Sequence, residues 1–201
     1  MSMDNEFLAI EHEAQAQGYK VVCGCDEAGA GPLAGAVFAA AVVLPEDYDL
    51  PYLTDSKKLS EKRRDVLFDL IKEQAVAWAI ASVDEKEIDE INILNARMKA
   101  MDLAIHSIDP VPDFALIDGN RNKGISIPNR MVIKGDSLSA SISAASILAK
   151  VARDRYMLDM AKKYPEYKFE QHKGYGTKLH YEMLRQYGPS PIHRLTFLKN
   201  L

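Results

Sequence analysis

The chain has 201 residues, of which 47% are hydrophobic, so it can bury a full core and its composition excludes a disordered tail. No apolar run approaches the ~20 residues that cross a bilayer, and the acidic N-terminus lacks the order of a signal peptide, so we expect a cytoplasmic protein. Net charge is -4, yet residues 150–201 hold 11 Lys and Arg against 5 Asp and Glu. This asymmetry indicates either a basic surface for polyanions or a solvated helical face.

Cysteine and histidine usage points away from disulfides and zinc. Cys23 and Cys25 stand two residues apart in a predicted strand, where their side chains are poorly placed to bridge each other. The five histidines show none of the spacings that zinc sites commonly use. We therefore expect neither a disulfide framework nor a zinc centre.

The first half of the chain predicts a helix, a hairpin and a second helix. Asp4 is a candidate N-cap for a short helix that ends near Gly18. Residues 20–25 and 36–44, which are largely apolar, predict two strands, and the glycine-rich segment between them predicts a turn. Ser60 is a candidate N-cap for a helix that precedes a strand over 75–83, and the apolar positions on one face of this helix are Val66, Leu67, Leu70 and Ile71.

The second half alternates helices with short strands. The predicted elements are a helical region from Asp84 with apolar Leu94, Met98, Met101 and Ile105, a buried strand over 114–117 that ends at Asp118, a strand over 131–133, a long helix over about 137–162, and a last helix over 177–187. Such a pattern predicts an α/β fold in which a mixed sheet is flanked by helices. We expect one domain over 1–201, whose residues from about 156 onward form a helical, basic C-terminal extension.

Two adjacent acids, Asp26 and Glu27, directly follow the first predicted strand. Gly29, Gly31 and Gly35 come next, so backbone amides there can approach a ligand closely. A dinucleotide-binding turn is disfavoured, because the acids would repel a pyrophosphate and the segment after the turn predicts a strand, not the required helix. On these residues alone, a solvated turn and a chemical site are both open.

Asp118 repeats this pattern, because it ends a buried strand and precedes a glycine. Asp136 stands at the start of the long helix, where it can also serve as the N-cap. Four carboxylates in one place cannot all stay ionised without a cation between them. Oxygen-only ligands select Mg²⁺ or Mn²⁺, and a pair of such ions can cleave a phosphodiester. If the fold brings Asp26, Glu27, Asp118 and Asp136 together, they are candidate ligands for such a pair of ions.

Five parts of the chain resemble, in register, the successive signatures of bacterial ribonuclease HII. They are 26–35 (DEAGAGPLAG), 55–60 (DSKKLS), 117–120 (IDGN), 134–136 with 143–154, and 172–177 (HKGYGT). The resemblance implies an RNase H-like fold and endonucleolytic hydrolysis of RNA in RNA/DNA hybrids, including single ribonucleotides embedded in duplex DNA. It implies a cut 5′ to the ribonucleotide that leaves 3′-hydroxyl and 5′-phosphate ends, and a role in ribonucleotide removal during DNA repair and replication.

The resemblance makes Asp26, Glu27, Asp118 and Asp136 the metal-binding and catalytic residues, and it also implies roles for residues outside these acids. It places the backbone of Gly29, Ala30 and Gly31 against the ribose 2′-hydroxyl, the group that distinguishes RNA from DNA. Tyr175 would lie against the nucleotide on the deoxy side of an RNA-to-DNA junction. Lys58 stands in a polar loop, and we assign it a contact to phosphate.

The basic C-terminal region supplies further candidates for a duplex-facing surface, namely Lys150, Arg153 and Lys173, each adding affinity without sequence preference. Asp154 fits the family pattern, but with Arg153 and Arg155 beside it on the long helix we expect it to form a structural ion pair and not to bind metal.

The implied cofactor is Mn²⁺ or Mg²⁺, with two ions during catalysis. The implied partners are RNA/DNA hybrid and ribonucleotide-containing duplex DNA. We expect no membrane association and no obligate protein partner, and we expect the enzyme to be a monomer.

The chain departs from the family pattern at one place in the turn. The family sequence there is normally Gly-Arg-Gly, whereas this chain has Ala30 between its two glycines. The missing guanidinium predicts weaker substrate binding and blurred junction selectivity, with the metal chemistry intact.

Three other functions remain open from the sequence. Another two-metal nuclease of the same superfold shares the acids but needs neither the glycine turn nor Tyr175. A hybrid-binding module weakened by Ala30 would bind without turnover. A metal-dependent phosphatase of small molecules would leave the basic C-terminal region unused.

Overall fold

A computed structural model describes residues 7–53 and 59–199 of the chain. The predicted cap Asp4 and the predicted phosphate contact Lys58 lie outside these residues. In the described part of the chain, no helix is both long and apolar enough to cross a membrane.

Five strands form a mixed sheet at the centre of the fold. They are β1 (Val22–Ala28), β2 (Val37–Val43), β3 (Ala77–Val83), β4 (Phe114–Asp118) and β5 (Asn129–Val132). Their order across the sheet is β3-β2-β1-β4-β5. The first three strands pair antiparallel, which confirms the predicted opening hairpin, whereas β4 is parallel to both β1 and β5.

Helices cover both faces of this sheet. They are α1 (Ala9–Ala16), α2 (Glu61–Gln74), α3 (Glu85–Ile91), α4 (Ile93–His106), α5 (Ala140–Lys163), α6 (Phe169–His172) and α7 (Lys178–Tyr187), with 3₁₀ turns at Gly135–Ser137, Pro165–Tyr167 and Leu195–Phe197. α4 packs on one face, and α5 packs with α2 on the other. The predicted α/β class, a mixed sheet flanked by helices with a helical C-terminal extension, is confirmed.

Local capping signals account for where several helices begin. The side chains of Ser60, Asp84 and Thr177 each accept a hydrogen bond from the backbone N–H three residues further on. These bonds satisfy amides that have no partner within the helix. The cap predicted at Ser60 is confirmed, and the helical region predicted from Asp84 does begin there, with Asp84 as its cap.

The buried faces of α2 and α4 differ from the predicted ones at two positions. Val66 and Leu94 are exposed, although both were expected on the apolar face. In α2 the buried stripe runs through Leu67, Phe68 and Ile71. The core therefore takes up Phe68, and the helix turns Val66 toward solvent.

The long helix α5 begins at Ala140, later than predicted. Ser139 caps it by accepting a hydrogen bond from the Ile142 N–H at 3.2 Å. Asp136 lies in the preceding 3₁₀ turn, where it is buried. The prediction that Asp136 caps the helix is wrong, because the chain completes this turn before the helix starts.

α5 packs directly against β1 through small residues. A Cβ added at Gly24 would lie 2.2 Å from the backbone nitrogen of Ile142 and 2.2 Å from the carbonyl carbon of Ser141. The buried Glu11 of α1 fixes the same end of α5, because its Oε1 accepts hydrogen bonds from the hydroxyls of Ser139 and Ser141, each at 2.6 Å. The start of α5 is thus held between β1 and α1.

Three histidines that are far apart in sequence meet in the C-terminal extension. The rings of His172 and His180 stack at 4.3 Å, and Nε2 of His180 lies 3.0 Å from Nε2 of His193. Burial lowers the pKa of His180 and of His193 to about 4, so both rings are neutral at pH 7. This cluster ties α6 and α7 to the last described segment of the chain.

The contact at Gly24 yields a first prediction. Gly24→Ala should lower the free energy of unfolding by about 2 kcal/mol or more, because the new methyl meets backbone atoms that cannot move without shifting the helix. The matched control is Gly31→Ala, since a Cβ there would meet nothing within 4 Å. Denaturant unfolding of the two variants measures the difference, and equal stability would contradict the proposed packing.

Candidate active site

Asp26 and Glu27 lie inside β1 and not after it. The sequence predicts a strand that ends at residue 25, but pairing with β2 continues to Ala28, which lies opposite Phe38. The additional pairing fixes the backbone of both acids in the sheet. Their side chains therefore project from a rigid strand.

The parallel pairing of β1 with β4 brings two predicted acids to one edge of the sheet. Cys25 lies opposite Ile117, so continuing this register places Asp26 beside Asp118. The two strands end together in space although they are 92 residues apart in sequence. Because both strands end at the same edge of the sheet, the acid that follows each apolar run in the sequence is carried to that edge.

Neighbouring side chains of a strand point to opposite faces, so Asp26 and Glu27 face different helices. Asp26 faces α5, where the Ser146 hydroxyl donates a hydrogen bond to its carboxylate. Glu27 faces α4, where Nη2 of Arg97 lies 2.6 Å from Oε1 of Glu27. β1 thus presents one acid to each helical layer.

The 3₁₀ turn that carries Asp136 contacts the end of β4. The Gly135 N–H donates a hydrogen bond to Oδ1 of Asp118 at 2.7 Å. A Cβ at Gly135 would lie 3.2 Å from that oxygen and 2.6 Å from Cδ1 of Ile142, so glycine allows the close approach. The 3₁₀ turn therefore brings the segment that carries Asp136 next to Asp118.

Burial is the largest influence on the two β1 carboxyl groups. It raises the pKa of Asp26 well above its usual range, and the negative charges of Glu27 and Asp118 raise it further. Burial also raises the pKa of Glu27, while the Arg97 guanidinium opposes this rise. A cation between the carboxylates would stabilise their ionised forms.

The chemistry of this donor set fits a hard divalent cation. The predicted ligands are all carboxylates, and Oε2 of Glu27 is buried without a hydrogen-bond partner. Within residues 7–53 and 59–199, no group of three or more His, Cys, Asp or Glu side chains is arranged so as to hold an ion. Two of the predicted ligands instead have partners within the protein. Glu27 pairs with Arg97, and Asp118 accepts a hydrogen bond from the Gly135 N–H.

The turn after β1 requires glycine at position 29. Gly29 has φ +94°, and a Cβ there would lie 2.0 Å from Nε of Arg153. Arg153 is fully buried, and its Nη2 donates to the carbonyl of Lys173 at 2.9 Å. The prediction that Arg153 faces a duplex is wrong, because its guanidinium lies against the turn in the interior.

Arg194 binds the same turn from the C-terminal extension. It is fully buried, and burial lowers its pKa to about 10, so it remains charged at pH 7. Its guanidinium makes five hydrogen bonds of 2.7–3.0 Å, all to backbone carbonyls of the turn, at Gly29, Ala30, Pro32 and Gly35. One side chain thereby sets the path of the backbone on which substrate recognition was predicted.

A cavity of about 380 Å³ opens beside Glu27 and the turn. Tyr175 stands at this cavity with 43% of its surface exposed, and the Arg153 guanidinium carbon lies 5.5 Å from the centre of its ring. Its lining does not include four of the predicted site residues that the structure describes: Asp26, Gly31, Asp118 and Asp136. The lining includes four predicted site residues and two basic side chains: Glu27, Gly29, Ala30, Tyr175, Arg64 and Lys150.

Three residues of the basic C-terminal region had predicted roles: Asp154, Lys150 and Lys173. Asp154 forms the expected ion pair, but its partner is Lys150 at 2.8 Å and not the adjacent Arg153 or Arg155. The reason is helical geometry, since residues four apart share a face and adjacent residues do not. Lys150 also lines the cavity, whereas Lys173 Nζ donates to the carbonyl of Glu170.

Sequence reasoning missed Arg97, Arg194 and Ser146. Arg97 and Ser146 lie within helices, where a polar residue more often faces solvent. Arg194 stands alone near the end of the chain with no motif around it that signals a role. The pattern that could have indicated Arg97 is its position on the helix face of α4 that packs against β1.

The fold and the acids at its edge define an RNase H-like nuclease. The protein is similar to the ribonuclease H2 of Pyrococcus horikoshii OT3, with a TM-score of 0.73 and 28% sequence identity. The similarity covers 88% of this chain and 93% of that one. The predicted RNase H-like fold is therefore confirmed.

Sequence comparison gives the family within this class. The ribonuclease HII family model matches residues 23–200. Ribonuclease HII of Acetivibrio thermocellus is 54% identical over 97% of this chain and 76% of its own length, and that of Caldicellulosiruptor bescii is 51% identical over 100% and 98%. The chain belongs to the ribonuclease HII family, and it is a ribonuclease H enzyme. The resemblance seen in the sequence is confirmed.

The contacts of Arg194 yield a second prediction. Arg194→Gln should lower the free energy of unfolding by about 3 kcal/mol or more, because an amide cannot replace five donors and leaves buried carbonyls without partners. Arg185→Gln is the matched control, since Arg185 is exposed on α7. Thermal unfolding measures both variants, and a loss no larger than that of Arg185→Gln would show that the turn does not depend on Arg194.

Proposed function

We propose that this protein hydrolyses the RNA strand of RNA/DNA hybrids and cuts duplex DNA on the 5′ side of a single embedded ribonucleotide. The products would carry a 3′-hydroxyl and a 5′-phosphate. The observation that carries the proposal is the meeting of Glu27, the turn at Gly29 and Ala30, and Tyr175 around one cavity. Membership of the ribonuclease HII family supports the same reaction.

Asp26, Glu27, Asp118 and Asp136 are the proposed ligands of divalent cations, Mg²⁺ or Mn²⁺, with two ions during catalysis. Bound ions would activate a water molecule and stabilise the leaving oxygen of the phosphodiester. The protein's part is to hold the carboxylates at one strand edge and to keep them buried against α4 and α5. Support comes from the oxygen-only donor set and from the buried, unpartnered Oε2 of Glu27.

The turn is the proposed reader of the sugar. A ribose differs from a deoxyribose by its 2′-hydroxyl, which can donate and accept hydrogen bonds. Backbone groups of Gly29, Ala30 and Gly31 would contact this hydroxyl. Arg153 and Arg194 hold the turn in a fixed path, which keeps these backbone groups in place. Recognition by backbone groups requires such a fixed path.

Tyr175 and the basic side chains of the cavity are the proposed contacts to the rest of the duplex. The exposed ring of Tyr175 offers an apolar face to the nucleotide on the deoxy side of a junction. Arg64 and Lys150 line the same cavity and would bind phosphate without sequence preference. Lys58 and Lys173 remain proposed phosphate contacts.

We propose that residues 1–201 act as one catalytic domain and as a monomer in the cytoplasm, where the enzyme removes ribonucleotides from DNA. The hydrogen bonds from Arg194 to the turn support the view that the C-terminal extension belongs to the catalytic unit. No obligate protein partner is needed for this proposal.

The third prediction tests the reaction. Asp118→Asn should lower cleavage of a duplex with one ribonucleotide by more than about a hundredfold, in Mg²⁺ and in Mn²⁺, because an amide cannot replace an anionic ligand. The fold should persist, since the asparagine oxygen can still accept the Gly135 N–H. The readout is the position and rate of the cut, measured beside an all-DNA duplex.

Asp113→Asn is the control for this experiment. Asp113 stands before the other end of β4 and accepts hydrogen bonds from the backbone of Lys20 and Val21, which an asparagine oxygen can also do. Full cleavage by Asp113→Asn, with loss in Asp118→Asn, would support the four-acid centre. Retained cleavage by Asp118→Asn would overturn it, and tight binding without cleavage by the parent would favour a binding module.

The fourth prediction concerns the missing arginine of the turn. Ala30 is partly exposed at the cavity, so Ala30→Arg would add a guanidinium there. We expect the KM for a junction substrate to fall about three- to tenfold and kcat to stay unchanged, because the charge contacts phosphate and not the reacting centre. Ala30→Met controls for side-chain size. Unchanged KM and unchanged junction preference in Ala30→Arg would contradict the prediction.

A further inference from the structure

Arg97 reaches the acids from α4, the helical layer opposite α5. Its Nη2 lies 2.6 Å from Oε1 of Glu27, and the two side chains are 21% and 12% exposed. A Cβ added at Gly119, the residue after Asp118, would lie 3.7 Å from the same Nη2. The guanidinium therefore stands between the ends of β1 and β4, where the proposed metal ligands meet.

The ion pair is made through one oxygen of the carboxylate only. Oε2 of Glu27 and Nε of Arg97 are both buried without a hydrogen-bond partner. A bidentate pair would use both carboxylate oxygens and would be harder to open. Arg97 thus holds Oε1 of Glu27, while Oε2 has no hydrogen-bond partner and can bind a metal cation.

Arg97 supplies a fixed positive charge to a group of buried carboxylates. A guanidinium stays protonated at any physiological pH, so this charge does not depend on the presence of metal. At close range in a partly buried site it attracts Glu27 and repels a divalent cation. The same side chain therefore stabilises the metal-free centre and opposes its filling.

We propose that Arg97 competes with the divalent cation for Glu27 and thereby sets the metal concentration at which the active site fills. This inference rests on the proposed function, because it takes Glu27 as a metal ligand. It makes Arg97 a positioning residue that acts through Glu27. Removing its charge should tighten metal binding, whereas the loss of a merely structural brace would leave metal affinity unchanged or weaken it.

The test measures Mn²⁺ binding to the substrate-free protein, by the loss of the electron paramagnetic resonance signal of free Mn²⁺. Arg97→Gln should bind Mn²⁺ about three- to tenfold more tightly than the parent. The metal concentration for half-maximal cleavage should fall by a similar factor. Arg97→Lys, which keeps the charge, should stay close to the parent and serves as the second variant if the glutamine variant is unstable.

Arg130→Gln is the matched control, because Arg130 also forms an ion pair at 2.6 Å, with Glu13, but both of these side chains are about half exposed on the surface. Its Mn²⁺ affinity should equal that of the parent. Unchanged or weaker binding in a folded Arg97→Gln would overturn the role of Arg97. A raised KM with unchanged Mn²⁺ affinity would also overturn it and would assign Arg97 to substrate phosphate.

The same titration separates this inference from the proposed function. Asp118→Asn should lose Mn²⁺ binding if the four acids form the centre. Failure of the parent to bind Mn²⁺, or parental affinity in Asp118→Asn, would overturn the metal centre and the role of Arg97 with it. Loss of binding in Asp118→Asn, together with unchanged affinity in Arg97→Gln, would overturn the role of Arg97 alone.

Discussion

Repulsion between the carboxylates of Asp26, Glu27 and Asp118 is the constraint around which this edge of the sheet is built. Parallel pairing of β1 with β4 forces the acids together, and burial raises the pKa of the two on β1. The protein opposes the repulsion with a hydroxyl from α5, a backbone N–H from the 3₁₀ turn and the guanidinium of Arg97. Each comes from a different element, so the fold must be complete before the acids are stabilised.

The glycine turn depends on distant parts of the chain in the same way. Gly29 lies against the buried Arg153 of α5, while the carbonyls of the turn accept hydrogen bonds from Arg194. Arg194 is held in turn by a segment that the cluster of His172, His180 and His193 ties to α6 and α7. The C-terminal extension therefore shapes the backbone beside the acids, although the sequence indicates only that it is basic.

The sequence by itself determined the class of fold and the main chemistry. Hydrophobic periodicity located the strands, and caps such as Ser60 and Asp84 marked helix starts, because both signals are local. The acids of β1 and β4 could be recognised because each follows a buried apolar run and precedes glycine. Resemblance to a known family then identified the ribonuclease, since ordered motifs over most of a chain are specific.

Only the tertiary structure decided where several charged side chains point, both in helices and in the segments beside them. Arg153 and Arg194 are buried, Asp154 pairs with Lys150, and Asp136 lies in a turn before the helix that it was expected to cap. A charged residue in a helix has the same local pattern whether it faces solvent or supports a neighbouring backbone. The difference is set by which face packs against the sheet, and that depends on contacts between residues more than a hundred positions apart.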